Sequence, residues 1–138
     1  MIIINILLMS SFVMLCIIAI LSFKTRYCLH REAKRAGRPS ENEFISKVMA
    51  KGVSFEVAHA VYVGFQKWAS PFVRDFPVAP TDRISLFIPV VIYEYETIIY
   101  EILKETRRYS PLDKPFPQTR KMTVTDVAIF VENCKKLL

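Results

Sequence analysis

Residues 1–23, MIIINILLMSSFVMLCIIAILSF, decide the architecture of this 138-residue chain. The stretch holds no charged side chain, and its polar interruptions are Asn5, Ser10, Ser11 and Ser22. Coiled as a helix, roughly 22 residues span about 33 Å, enough to cross the hydrocarbon core of a bilayer. Apolar runs of about 10–14 residues suit core helices or signal h-regions better than spans, and this one is longer. A cleaved signal peptide would carry a basic segment ahead of the apolar run and a small-x-small pair near Ala19 or Ser22. Neither is present. Cys16 follows Val13-Met14-Leu15, and bulky Leu15 stands where a lipoprotein cleavage site needs a small residue. The reading predicts a retained transmembrane anchor over residues 1–23.

The rest of the composition is consistent with that division. The chain is 52% hydrophobic and 23% charged, with a mean hydropathy of +0.27. Those values fit together because the apolar residues are concentrated at one end. They exclude a disordered chain, and three cysteines are too few and odd in number for a disulfide scaffold.

A basic collar follows the apolar run. Lys24, Arg26, Arg31, Lys34, Arg35 and Arg38 are opposed by Glu32 alone, a net of +5 between residues 24 and 38. Basic flanks of this kind stay on the cytoplasmic side, where they meet anionic lipid headgroups. The expected placement is a single-pass protein of the inner (plasma) membrane, N-terminus out, with residues 24–39 as a basic juxtamembrane linker and 40–138 as a cytoplasmic domain. A reducing compartment suits the cysteines. Residues 39–138 hold thirteen basic and twelve acidic side chains. The domain therefore lacks the concentrated basic footprint of a nucleic-acid binder, and no nucleic-acid partner is expected.

Within the domain, Gly37-Arg38-Pro39 interrupts the helix leaving the membrane. Ser40 and Glu43 have capping-box spacing, and Ser54 is placed to cap the next helix. Phe55, Ala58, Tyr62, Phe65 and Ala69 share one apolar stripe of that helix, and Val57, Val61 and Trp68 another. Two stripes predict a central helix packed on more than one side. Residues 70–90 carry Pro71, Pro77, Pro80 and Pro89 and read as a long loop, with several of Phe72, Val73, Phe76 and Val78 plugging the core. Residues 90–108 are rich in β-formers. Their length, the shared face of Val91, Tyr95, Ile98 and Ile102, and the Glu101–Lys104 and Glu105–Arg108 pairs favour a helix. Residues 109–121 form a second proline-rich connection. Thr123 and Asp126 then cap a final helix running toward Leu138, with Lys135 and Lys136 suited to its C-terminus. The fold class is all-α: the anchor plus a three- or four-helix bundle with two long proline-rich loops.

The element order, the apolar loop Phe76-Pro77-Val78-Ala79-Pro80-Thr81-Asp82 and the Thr123-Val124-Thr125-Asp126-Val127-Ala128 start of the last helix resemble the acyl carrier protein fold over roughly residues 43–137. That family carries phosphopantetheine on the serine of an Asp-Ser-Leu motif at the start of its second helix. Here the corresponding stretch is Pro89-Val90-Val91-Ile92-Tyr93, without a serine, and Ser85-Leu86 follows Ile84 rather than an aspartate. The resemblance therefore implies a degenerate relative that carries no group.

Catalytic patterns are sparse. Cys16, Cys28, Cys134, His30 and His59 have no metal-ligand spacing, and the Glu94, Glu101 and Glu105 face lacks the Glu-x-x-His partners of carboxylate-bridged centres. Gly37, Gly52 and Gly64 are too scattered for a phosphate loop. Asp75 and Asp82 flank the proline-rich loop, where turn duty is the common use of aspartate. No metal, no cofactor and no enzymatic activity are expected. Surface aromatics remain: Tyr93, Tyr100 and Tyr109, with Arg107 and Arg108, have the composition of protein-binding hot spots. The expected function is a non-enzymatic, membrane-anchored, protein-binding module, such as an immunity protein or an accessory subunit of a bacterial envelope system. The alternatives are a tethered acyl or group carrier using Ser85, and a membrane-bound lipid-modifying enzyme using Asp75, Asp82 or His59.

Overall fold

The computed structural model describes residues 2–87, 92–110 and 121–137, with the backbone alone at residues 2 and 92–95. Five α-helices run in the order α1 (Ile2–Ala33), α2 (Glu41–Met49), α3 (Phe55–Ala69), α4 (Ile92–Glu105) and α5 (Val124–Glu132). A 3-10 turn, Ile84–Leu86, precedes α4, and two short strands, β1 (Arg108–Tyr109) and β2 (Lys135–Lys136), pair antiparallel. The proline-bearing positions 89, 111, 115 and 117 lie outside the described residues, as does the start expected for α4 at residues 90–91.

One 32-residue helix, α1, carries the apolar run and continues without a break through most of the collar. Every large apolar side chain from Ile3 to Ile20 is at least 50% exposed. It is a helix long and apolar enough to span a membrane. Its last turns behave differently: Leu29 is fully buried and Thr25 nearly so, because this end packs against the 3-10 turn of the head. The linker expected over 24–39 is thus mostly helix. Gly37, at φ +80°, then supplies the left-handed step that reverses the chain toward α2.

The head is built around α3, which packs against α2, α4 and α5. Its core joins Phe44 and Val48 of α2, Val57, Val61 and Phe65 of α3, Ile98 and Ile102 of α4, and Val127 and Val131 of α5. The expected central helix is present. Phe76 and Val78 of the loop fill the core completely, while Phe72 and Val73 are half-buried beside it. Phe76 meets Phe87 edge to face at 5.5 Å, and Phe87 in turn packs on Phe65 at 5.0 Å. The ambiguous segment is helical from Ile92 to Glu105, where four buried side chains, Ile98, Ile99, Ile102 and Leu103, follow helical spacing.

Both predicted capping boxes form. Ser40 and Glu43 satisfy each other's backbone N–H groups, as do Thr123 and Asp126. Replacing Thr123 by alanine removes one acceptor from the first turn of α5, and an unfolding curve should report a loss of about 1 kcal/mol. An unchanged midpoint would show that the Asp126 carboxylate, 2.8 Å from the Thr123 N–H, suffices alone.

Three local expectations are corrected. Ser54 occupies the N-cap position of α3, but its hydroxyl donates to Glu132 instead of accepting from a helix N–H. Phe55, expected on the apolar stripe, is 58% exposed and stacks on His59. The last helix ends at Glu132, so Lys135 and Lys136 lie on β2 and not in a helical turn. There Lys136 pairs with Arg108 and Lys135 with Tyr109.

Candidate functional site

Two regions hold the side chains singled out by the sequence: the junction of α1 with the head, and the surface formed by α3, α4 and β1.

At the junction, Lys24, Arg26 and Arg31 project from α1 as exposed side chains, and Lys34 and Arg35 are exposed just beyond its end. Glu32 answers three guanidiniums, those of Arg31 at 3.7 Å, Arg35 at 3.5 Å and Arg38 at 3.8 Å. Arg38 is the exception to the expected collar. Its side chain is 9% exposed and turns into the head. Nη1 and Nη2 donate to the two Asp82 oxygens at 2.7 and 2.6 Å, and Nε donates to the Pro77 carbonyl at 3.0 Å. The guanidinium also lies 4.9 Å from the centre of the Phe76 ring, in cation–π position. Arg38 is therefore a structural clamp, not a membrane-surface residue.

Asp82 explains why it turns inward. Its carboxylate also accepts the Ala79 N–H at 2.8 Å, so one short turn presents a buried anion that only a planar, bidentate donor can match. The same turn holds α5: Asp82 and Pro80 carbonyls accept from the Val124 and Thr125 N–H groups, and Ile84 bonds the Met122 carbonyl. The loop expected to plug the core is thus also the hub that ties Arg38, just beyond α1, to the start of α5. Asp82 is used up there as a turn and ion-pair residue. Asp75 is exposed at φ +53°, and His59 pairs with Glu41 at 3.3 Å on the rim of α3. The structure does not bring these three together around a common partner. Among the described residues, no three His, Cys, Asp or Glu side chains converge as a metal-holding group.

On the other surface, Tyr100 is 71% and Tyr109 43% exposed, and Arg107 is exposed at φ +50°. The side chain of Tyr93 lies outside the described residues. Arg108 is a second correction. Its side chain is 9% exposed and donates to the Glu132 carbonyl at 2.6 Å, the Cys134 carbonyl at 3.2 Å and Glu132 Oε1 at 3.1 Å. It closes the end of α5 and is not available to a partner.

The feature that sequence patterning missed is a cleft of about 610 Å³ between α3 and α4. Phe55, His59 and Val63 form its α3 wall, and Glu101, Ile102 and Glu105 its α4 wall. Gly64 sets the approach of the two helices, since a Cβ there would come within 3.0 Å of Ile102. At the rim Lys67 pairs with Glu101 at 3.5 Å. Tyr100, Arg107 and Tyr109 do not line this cleft. The available signal was Phe55, one turn ahead of His59 and opposite the buried Val57. Ser85, the candidate carrier serine, is exposed on the 3-10 turn, short of α4, which begins at Ile92. Comparison with known protein families, with curated proteins and with solved structures finds no match to this chain.

Proposed function

We propose that this chain is a membrane-anchored module whose helical head binds a protein partner at the cytoplasmic face. The observation that carries the reading is a division of labour. One helix leaves its whole apolar length outside any core, and the compact head behind it presents a cleft walled by exposed Phe55 and Val63. Burying α1 in a bilayer removes a cost that water would impose on every one of those side chains. At about 1.5 Å per residue α1 is about 48 Å long, so its basic end stands clear of an apolar layer about 30 Å thick. That end carries the positive charge that favours the cytoplasmic side. Tethering to one leaflet then raises the local concentration of the head toward anything else held there. A regulatory or accessory subunit of an envelope assembly fits this arrangement, and so does an immunity protein facing a membrane-active toxin.

The resemblance to acyl carrier proteins is retained as a proposal about the head alone, supported by helix order and by the capped last helix. Group transfer is not part of the proposed role.

Two measurements test the proposal. Phe55 and Tyr100 are both more exposed than buried, so alanine at either should leave the unfolding midpoint within about 0.5 kcal/mol of wild type. A hot-spot residue should nevertheless lose at least 2 kcal/mol of affinity, about thirtyfold, in capture of the partner from the native membrane. Full capture by both variants would remove the cleft and the tyrosine surface from the reading. A reporter fused after Leu138 should be active inside the cell, and activity outside would overturn the topology.

A further inference from the structure

A second cavity, of about 690 Å³, lies between α1 and the 3-10 turn of the head. Leu21, Lys24, Cys28 and Arg31 line it from α1, at the spacing of one helical face, and Arg83 and Ser85 line it from the head. We propose that this cavity seats the phosphate of an anionic phospholipid headgroup from the leaflet that α1 enters, an inference that rests on the anchoring reading above.

Charge is the first reason. Five basic side chains line the cavity, Lys24, Arg31, Arg35, Arg38 and Arg83, against the two acids Glu32 and Asp82. Asp82 is consumed by the two-pronged bond from Arg38, and the single charge of Glu32 is shared among three guanidiniums. Lys24 and Arg83 face the same space from opposite walls and make no ion pair among the described residues. Three uncompensated positive charges around one cavity favour an anion, and hydroxyls of Thr25, Thr81 and Ser85 add donors for its oxygens.

Position is the second reason, and it selects a lipid over a soluble anion. The cavity begins at Leu21, within the last turn of the apolar run, and the first basic residue, Lys24, stands one turn further along. Along α1 apolar Leu21 comes first, then Lys24 with Thr25, then Arg31, so the apolar end of the cavity lies on the acyl-chain side and its cationic end on the headgroup side. Leu86 adds an apolar contact from the head side. A lipid reaches this slot by sliding within the leaflet. Arg38 bridges Glu32 of α1 to Asp82 of the head and so holds the two walls at a set distance.

The test uses the full chain in nanodiscs of phosphatidylcholine doped with phosphatidylglycerol, with retained lipids counted by native mass spectrometry after release. Arg83→Gln removes a cavity charge from the head, and Arg26→Gln removes an equal charge from α1 outside the cavity. Arg83→Gln, which removes a charge-assisted contact to the seated phosphate, should retain about fivefold less phosphatidylglycerol, and Arg26→Gln, which removes only diffuse surface charge, should change less than twofold. Lys24→Gln should repeat the Arg83→Gln result and serves in its place if that variant unfolds. Equal losses from the cavity and control variants, or equal retention of the two lipids by wild type, would reduce the effect to diffuse collar charge and overturn the site. Stabilisation of the head in pure phosphatidylcholine discs by millimolar inorganic phosphate, abolished by Arg83→Gln, would assign the cavity to a soluble anion instead. Failure of the wild-type chain to float with liposomes would sink the anchoring reading itself, a result distinct from any of these.

Discussion

Replacing Arg38 by alanine should destabilise the head by about 3–5 kcal/mol, the cost of removing one partner from a buried ion pair. Asp82 is the reason the cost is high. Its side chain is 7% exposed, and without the guanidinium its charge would be left buried with the Ala79 N–H as its main remaining donor. The Pro77 carbonyl would lose its donor in the same step. For a domain of this size each kcal/mol moves the midpoint by about 4–8 °C, so thermal unfolding of the full chain should shift downward by at least about 12 °C. Arg38→Lys should recover only part, because an ammonium cannot present two parallel N–H groups to a carboxylate and a third to a carbonyl. Pairing Arg38→Met with Asp82→Asn removes both charges and should cost much less than the sum of the two single changes. Additivity would mean that the pair is solvated like a surface bridge. A midpoint within about 4 °C of wild type for Arg38→Ala would do the same.

That clamp marks where local reading of the sequence ends. The elements governed by near neighbours were legible: the capping boxes at Ser40–Glu43 and Thr123–Asp126, the two-sided α3, and α4 by its spacing of Ile98 and Ile102. The long apolar helix was legible for the same reason. Arg38 belongs by composition to a collar of similar side chains, and only the fold, which brings Asp82 from 44 positions away, separates it from them. Arg108 was misread in the same way, because its acceptors lie 24 and 26 positions further on. Apolar periodicity through Cys134 carried the expected helix α5 too far. The carbonyls of Glu132 and Cys134 turn instead to Arg108, and the chain leaves the helix to pair with β1. The cleft was hidden for a related reason. A groove is a property of two helices at a set separation, and Gly64 against Ile102 sets it across 38 residues that no window spans.

The clasp at the end of α5 gives the second large expected effect, and it depends on pH. Glu132 accepts the Ser54 N–H and hydroxyl at 3.0 and 2.7 Å and Arg108 Nη2 at 3.1 Å, tying α5 to the start of α3 and to β1. Partial burial pushes its carboxyl upward, but the two Ser54 bonds and the Arg108 charge outweigh that push and hold it below its ordinary value of 4.5. The folded state therefore takes up this proton at a lower pH than the unfolded chain does. The resulting stabilisation is complete above the unfolded value and is lost as pH falls through the folded one. Glu56, held low by its hydrogen bond and charge contact with Lys136 on β2, adds in the same direction from the same edge. Acid should accordingly loosen the β1–β2 pair and the α3–α5 contact first. Glu132→Gln should cost about 2–3 kcal/mol at neutral pH, since hydrogen bonds to a charged group are worth about 1.5–3 each. It should also flatten the fall in stability as pH drops below about 4.5, leaving the share contributed by Glu56. Arg108→Ala should cost at least as much, because it strands two carbonyls as well as the carboxylate. Denaturant midpoints measured across that pH range decide the matter. A Glu132→Gln profile parallel to wild type would move the acid sensitivity elsewhere, and a loss below 1 kcal/mol would show that Ser54 and Arg108 find replacement partners in water.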